Sequence, residues 1–314
     1  MIGRARAAPV CRGRQHGVAL VLALAVVALA AAAASAILHA QSGWLRVESL
    51  RSDRAQALAA ADAALDWARE ALARDARATG VDHRLEPWAA HIGPLEVEGA
   101  TVSGWLDDAQ GAFNLNGIAP QGRVLPAQLD RYRRLLAVLG LPAGLADALA
   151  DWLDSDARAS GPDGAEDAFY LALAAPYLAA NQPLAERGEL ARVRGYDAQV
   201  LERLRPHVVA LPVATAVNVN TATPEVLCAL LPGSDLGAAR ALVLERERRP
   251  FRSLADFAAR AGDRGPDSLD GLAVGSAWFI AQVRVRAGEV VVSAEALLSR
   301  AATGAPSIVW RRRG

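Results

Sequence analysis

The sequence has no lysine: all 34 basic side chains are arginines, balanced by 34 acids. With no net charge, there is no global basic field to attract nucleic acid and no acidic tail. Cysteine is nearly absent, with only Cys11 and Cys228, so cysteine usage is compatible with either compartment and does not decide location. If Cys11 belongs to a removed leader, the mature chain carries one thiol and no internal disulfide, and Cys228 reads as a small apolar core residue on a helix around Val226, Leu227, Leu230 and Leu231. The five histidines, His16, His39, His83, His91 and His207, are scattered, without an H-x-x-x-H pair. No G-x-S-x-G elbow and no phosphate-binding P-loop occurs, and nothing has the pattern of an active site. The chain reads as a non-enzyme. The Ala and Arg bias carries no functional weight.

What is present begins at the N-terminus. Residues 1–17 hold Arg4, Arg6, Arg12 and Arg14 and no acid, and residues 18–38 are apolar except for Ser35. About 21 helical residues span about 31 Å, enough to cross the hydrocarbon core of a bilayer. A secretory signal peptide has a shorter apolar stretch followed by a small-residue cleavage site. Arginines precede the segment and none follows until Arg46, which places the N-terminus in the cytoplasm and the bulk outside. The junction of Gly17 with the apolar run resembles a type IV prepilin signal, cut between Gly17 and Val18; an ordinary signal-anchor helix with a chance glycine reads the same way. The fifth residue after that junction is Leu22, where pilin-like subunits usually carry a glutamate. A carboxylate in hydrocarbon without its partner is expensive, so a subunit with nothing above it should lack the acid.

Residues 44–76 keep helical spacing through Leu50, Ala57, Leu58, Ala61, Leu65 and Ala68, without Pro, which predicts a continuation of the membrane helix. Strand patterns occupy residues 94–106, leading to a turn at 108–111. Residues 278–285, 289–297 and 307–311 predict antiparallel strands joined at Ala287-Gly288 and Thr303-Gly304. The intervening 120–270 reads as almost wholly helical. Two separate domains of so few strands would hardly be stable alone. The economical arrangement is therefore an α+β fold: a long N-terminal helix packed on a small antiparallel sheet, with a large all-α domain inserted. Its segments are a leader at 1–17, a transmembrane helix at 18–38, a head at 39–119, an inserted helical domain at 120–270, and C-terminal head strands at 271–314.

The densest chemistry lies in the insert. Asp147, Asp151, Asp154, Asp156, Asp163, Glu166 and Asp167 stand against Arg158 alone. Like charges this close repel, and a hard cation relieves them; oxygen-only ligands suit Ca²⁺ better than zinc. An EF-hand is excluded, because the twelve-residue spacing and terminal Glu are missing. A solvated acidic loop is the alternative. A glycosidase pair is disfavoured, since seven acids exceed what that mechanism needs and no aromatic sugar platform flanks them.

Residues 216–257 resemble a helix-hairpin-helix module, with Thr221 or Thr223 capping a helix, Pro224 in its first turn and Pro232-Gly233 ending it. Asp235 stands where a DNA phosphate should sit. Residues 213–262 carry six arginines against five acids, too little for a nonspecific DNA patch, so nucleic acid is not the expected partner.

Taken together and in order, RQHG-VAL, QGAFNLNGI, DWLDSD…GAEDAFY, APYLAANQPLAERGELARVRGY and VNVNTATPEVL resemble the K-type minor pseudopilin, the general secretion pathway protein K family of type II secretion systems. The resemblance implies a pilin-like head with an inserted helical domain and a subunit at the tip of a periplasmic pseudopilus, assembled with I-type and J-type minor pseudopilins. It further implies cleavage by prepilin peptidase between Gly17 and Val18, an inner-membrane anchor with a periplasmic C-terminal domain, and calcium held by Asp151, Asp154, Asp156, Glu166 and Asp167. The family lacks the pilin glutamate, in keeping with Leu22. The competing expectation is a membrane-anchored DNA-binding or type IV pilus tip protein using the hairpin segment.

Overall fold

The computed structural model describes residues 16–262, 269–300 and 305–314. Cys11 and the anticipated turn at Thr303-Gly304 lie outside the described residues, as do residues 1–15 of the leader.

The chain begins with one helix, α1 (His16–Ala78), 63 residues long and therefore about 95 Å from end to end. Its alanine, leucine and arginine content favours helix at nearly every position, and no proline interrupts it. Two environments divide it. From residue 18 to residue 50 every side chain is exposed, and an 18-residue window has a mean hydropathy of 2.7 with none of it buried. Farther along, Ala57, Ala61, Leu65, Ala68 and Leu72 form a single buried stripe at helical spacing. Apolar residues all round suit lipid, whereas a one-sided stripe suits a sheet.

That sheet starts with β1 (Ile92–Val97) and β2 (Ala100–Asp108). Their turn holds Glu98 at φ 49° and Gly99 at φ 82°; two consecutive positive φ values make a tight hairpin turn matched to strand twist, and glycine takes one of them without strain. The chain then leaves the sheet. It forms β3 (Phe113–Asn114), α2 (Pro126–Val138), α3 (Leu145–Leu153), α4 (Asp167–Leu171), α5 (Ala198–Leu204), β4 (Val208–Val209) and β5 (Val217–Asn218). There follow α6 (Pro224–Leu230), α7 (Leu236–Arg248), α8 (Leu254–Ala261) and β6 (Leu272–Ala273). It returns as β7 (Trp278–Ala287), β8 (Val290–Ser299) and β9 (Ser307–Arg313). The five long strands pair in the order β1-β2-β7-β8-β9, every pair antiparallel. β2 and β7 are direct neighbours, with Asp108 opposite Phe279.

Two main apolar cores result. One lies between α1 and the sheet, where Trp88 meets Phe279 edge to face at 5.1 Å. The other runs through the helical block from Phe113 to Leu272 and takes in Tyr132, Trp152, Tyr170 and Phe251. Cys228 is buried in this second core, on α6. The block also contains two minimal parallel pairs, β3 with β4 and β5 with β6.

Two N-x-N sequences clip the block together. Asn116 donates to the carbonyls of Leu184 and Leu211 at 2.9 and 2.8 Å and accepts from Leu184 N at 2.8 Å. Asn220 donates to Phe251 O and accepts from Phe251 N at 2.9 and 2.8 Å. An amide side chain offers a donor and an acceptor in the spacing of a peptide, so each works as a strand-like partner for an irregular segment. This gives a physical role to the NLN and NVN sequences at 114–116 and 218–220.

Candidate functional site

α3 carries Asp151 inward and ends at Asp154, which is its C-cap residue. The loop folds back through Gly161, at φ 101°, a left-handed backbone that a side chain would strain. It then reaches Gly164, where a Cβ would strike Asp151 Oδ2. Glu166 follows as the N-cap residue of α4, with Asp167 in its first turn. Trp152 of α3 meets Tyr170 of α4 edge to face at 5.1 Å.

The five acids singled out by sequence divide into two roles. Asp151 is fully buried and closes the loop: its Oδ1 accepts from Ser160 N at 2.9 Å and its Oδ2 from Ala165 N at 2.7 Å. Asp167 accepts from Ala179 N at 2.9 Å, holding the segment that follows α4. Asp154, Asp156 and Glu166 converge instead, each offering a carboxylate oxygen within 4.8 Å of the other two. Asp154 and Glu166 are buried, yet Asp154 Oδ1 and both oxygens of Glu166 have no hydrogen-bond partner. Asp156 is exposed and accepts from Arg158 N at 2.9 Å. Of the neighbouring acids, Asp147 is paired with Arg133 at 2.7 Å.

Electrostatics follow from this crowding. Burial, reinforced by the charges of Asp156 and Asp151, pushes the Asp154 carboxyl up to about 6. Burial and the charges of Asp151, Asp154, Asp156 and Asp167 raise Glu166 to about 7. Removing a carboxylate from water without giving its oxygens a donor is costly. Bare carboxylate oxygens converging from a helix end and a loop make a donor set for a hard cation.

The hairpin segment has a different logic. Thr223 caps α6 by accepting from Val226 N at 3.3 Å, and Asp235 caps α7 by accepting from Ala238 N at 2.7 Å. The carboxylate of Asp235 thus occupies the amide position that a phosphate would need.

A second carboxylate group, Asp75, Asp82 and Glu86, was not singled out from sequence. Asp75 falls within the periodic pattern of α1, and its partner Arg300 is supplied from beyond β8, so proximity in sequence gave no signal.

Comparison with known proteins is consistent along the chain. Residues 111–213 and 217–275 match two family models, both described as type II secretion system (T2SS), protein K. The type II secretion system protein K of Pseudomonas aeruginosa is 35% identical over 280 residues, covering 85% of this chain and 84% of its own. The same protein of Pectobacterium carotovorum is 34% identical over 302 residues, covering 88% and 90%. Among solved structures, a chain of the GspK-GspI-GspJ complex from enterotoxigenic Escherichia coli is similar with a TM-score of 0.74 at 28% identity, covering 84% of this chain and 98% of that one. The two family models together span more than half of the chain and the relatives cover more than four fifths of it, so the chain belongs to the type II secretion system protein K family, the minor pseudopilins.

Proposed function

We propose that this chain caps the type II secretion pseudopilus as a structural subunit, held in the bacterial inner membrane by α1 until it joins I-type and J-type minor pseudopilins. The observation that carries the reading is the division of α1: an apolar, fully exposed half continuous with a half packed under a small antiparallel sheet. In a bundle of like stalks the exposed half finds apolar partners, and helices exchange lipid contacts for each other. A block as large as the one between β2 and β7 has no room to repeat along a thin filament, which supports a position at the end. Leu22 fits that position, since a subunit with nothing above it has no ammonium to pair with a carboxylate.

On this reading prepilin peptidase cuts between Gly17 and Val18, the C-terminal domain stands in the periplasm, and Ca²⁺ occupies the acidic loop. Asp154, Asp156 and Glu166 would hold the ion, with Asp151 and Asp167 keeping the loop in shape around it. The bare oxygens of Asp154 and Glu166 fit such an ion, which would neutralise the loop and couple its folding to cation supply.

Mass spectrometry of the protein from cells with and without the peptidase tests the assignment. A mature chain starting at Val18, recovered together with I-type and J-type subunits, is the expected result. A chain that keeps Met1 in the presence of the peptidase, or that never associates with those subunits, overturns it. Salt-dependent DNA affinity of the purified chain would favour a DNA receptor instead.

A further inference from the structure

The acids around the end of α1 show a pattern that hydrogen bonding leaves unfinished. Asp75 Oδ2 takes Arg300 at 2.7 Å, and its side chain is 9% exposed. Asp82, 1% exposed, uses Oδ2 alone, accepting from Arg300 at 2.5 Å and Ser276 N at 2.7 Å. Glu86, 8% exposed, uses Oε2 alone, for His83 N at 2.8 Å and Trp88 Nε1 at 2.9 Å. Each carboxylate is therefore engaged on one oxygen and bare on the other, and Asp82 Oδ1 is fully enclosed with no partner at all. Ligand oxygens from the three lie within 4.8 Å of one another, a spread that a cation about 2.4 Å from each oxygen bridges.

Charge points the same way. Two of the three carboxylates, Asp75 and Asp82, pair with one guanidinium, Glu86 adds a third charge beside them, and a fourth acid, Asp108, lies behind Ser276, whose hydroxyl donates to it at 2.6 Å. Arg300 neutralises one unit and leaves the cluster doubly negative in a place nearly closed to water. Buried charge of one sign is retained only when something of the other sign, or a proton, compensates it.

We propose that Asp75, Asp82 and Glu86 form a second binding site for a hard divalent cation of the calcium class, at the junction of α1, the loop after it and the residue following β8. Oxygen-only ligands select against softer metals. The ion would tie the end of the long helix to the point where the sheet meets the inserted block. This site is separate in residues and place from the acidic loop, and either can exist without the other.

The test uses the full chain in detergent, stripped with chelator and dialysed against Ca²⁺. Asp154→Asn combined with Asp156→Asn and Glu166→Gln removes the three loop ligands and leaves the junction intact; this loop variant should retain about one equivalent of ion per chain. Adding Asp82→Asn should abolish that equivalent. A loop variant that binds no Ca²⁺ overturns the proposal, and so does a quadruple variant that stays folded and keeps the ion. Should the quadruple variant fail to fold, terbium decides in the loop variant. Trp88 is hydrogen-bonded to Glu86, so tryptophan-sensitised emission should fall several-fold in Trp88→Phe while the bound equivalent stays. Unchanged emission would place the ion elsewhere and overturn the assignment.

Discussion

The hydroxyl of Ser276 donates to Asp108 Oδ2 across 2.6 Å, joining the residues on either side of the inserted block. The same oxygen accepts from Thr221 Oγ1 at 2.6 Å and Asn218 Nδ2 at 2.9 Å, while Oδ1 accepts from Gln110 N at 2.8 Å. One carboxylate thus anchors four donors from three segments, and desolvation pushes its pKa up against their pull. Asp108→Ala strands those donors and is expected to cost about 3 kcal/mol of stability. Thermal denaturation of the full chain in detergent checks it; a loss below about 1 kcal/mol would show that water replaces the carboxylate.

The acidic loop predicts a reversed pH dependence when calcium is chelated. Asp154 and Glu166 titrate above the ordinary carboxylate range, at about 6 and about 7. Between roughly pH 4 and pH 7 the folded chain therefore binds protons that the unfolded chain has released. Their contribution to stability declines as pH rises through that window. In chelator the melting temperature should fall from pH 5 to pH 7.5 by this mechanism, and saturating calcium should flatten or invert the trend. A chelated melting temperature that rises across the window would contradict the enclosure of these carboxyls.

Calcium should also discriminate between the two roles of the loop acids. Asp154→Asn is expected to reduce the calcium-dependent rise in melting temperature by the loop site's share, a gain worth about 2.7 kcal/mol at a hundredfold excess over Kd, leaving only the share of the junction site. Asp151→Asn should destabilise the chain with or without calcium, because it disturbs the bonds to Ser160 N and Ala165 N. Equal calcium shifts in the Asp154 variant and the parent would dismiss the loop as the ion's site.

Arg300 is held between Asp75 and Asp82 and lies 4.8 Å from the centre of the Phe279 ring. Arg300→Met keeps much of the packing but leaves the acids unpaired, and a loss of about 3–5 kcal/mol is expected by chemical denaturation. Recovery at mildly acidic pH should accompany it, since Asp75 already titrates near 6, raised by burial and by Glu86 and Asp82.

Much of this fold was legible because its signals are periodic. The apolar run at 18–38, the stripe from Ala57 to Ala68 and the alternation in 278–285 each repeat at the spacing of the element they form. The convergence of Asp154, Asp156 and Glu166 was legible as composition, because they sit close together in the chain. Which acids face inward was not, because that depends on amides such as Ala165 N and Ala179 N that any residue supplies. Arg300 with Asp82, and Asn116 with Leu184, escaped for a related reason. They join positions that only the tertiary fold brings together, through residue types common on any surface.

Because β2 and β7 are antiparallel neighbours and Asp108 faces Phe279, the inserted block hangs from the adjacent ends of two interior strands, at one end of the sheet. A pull on the block along the strands drags β2 and β7 together. The load then passes sideways into the ladders with β1 and β8, resisted by many hydrogen bonds at once, instead of parting one pair after another. A load on the block would therefore reach the sheet, and α1 packed beneath it, in shear.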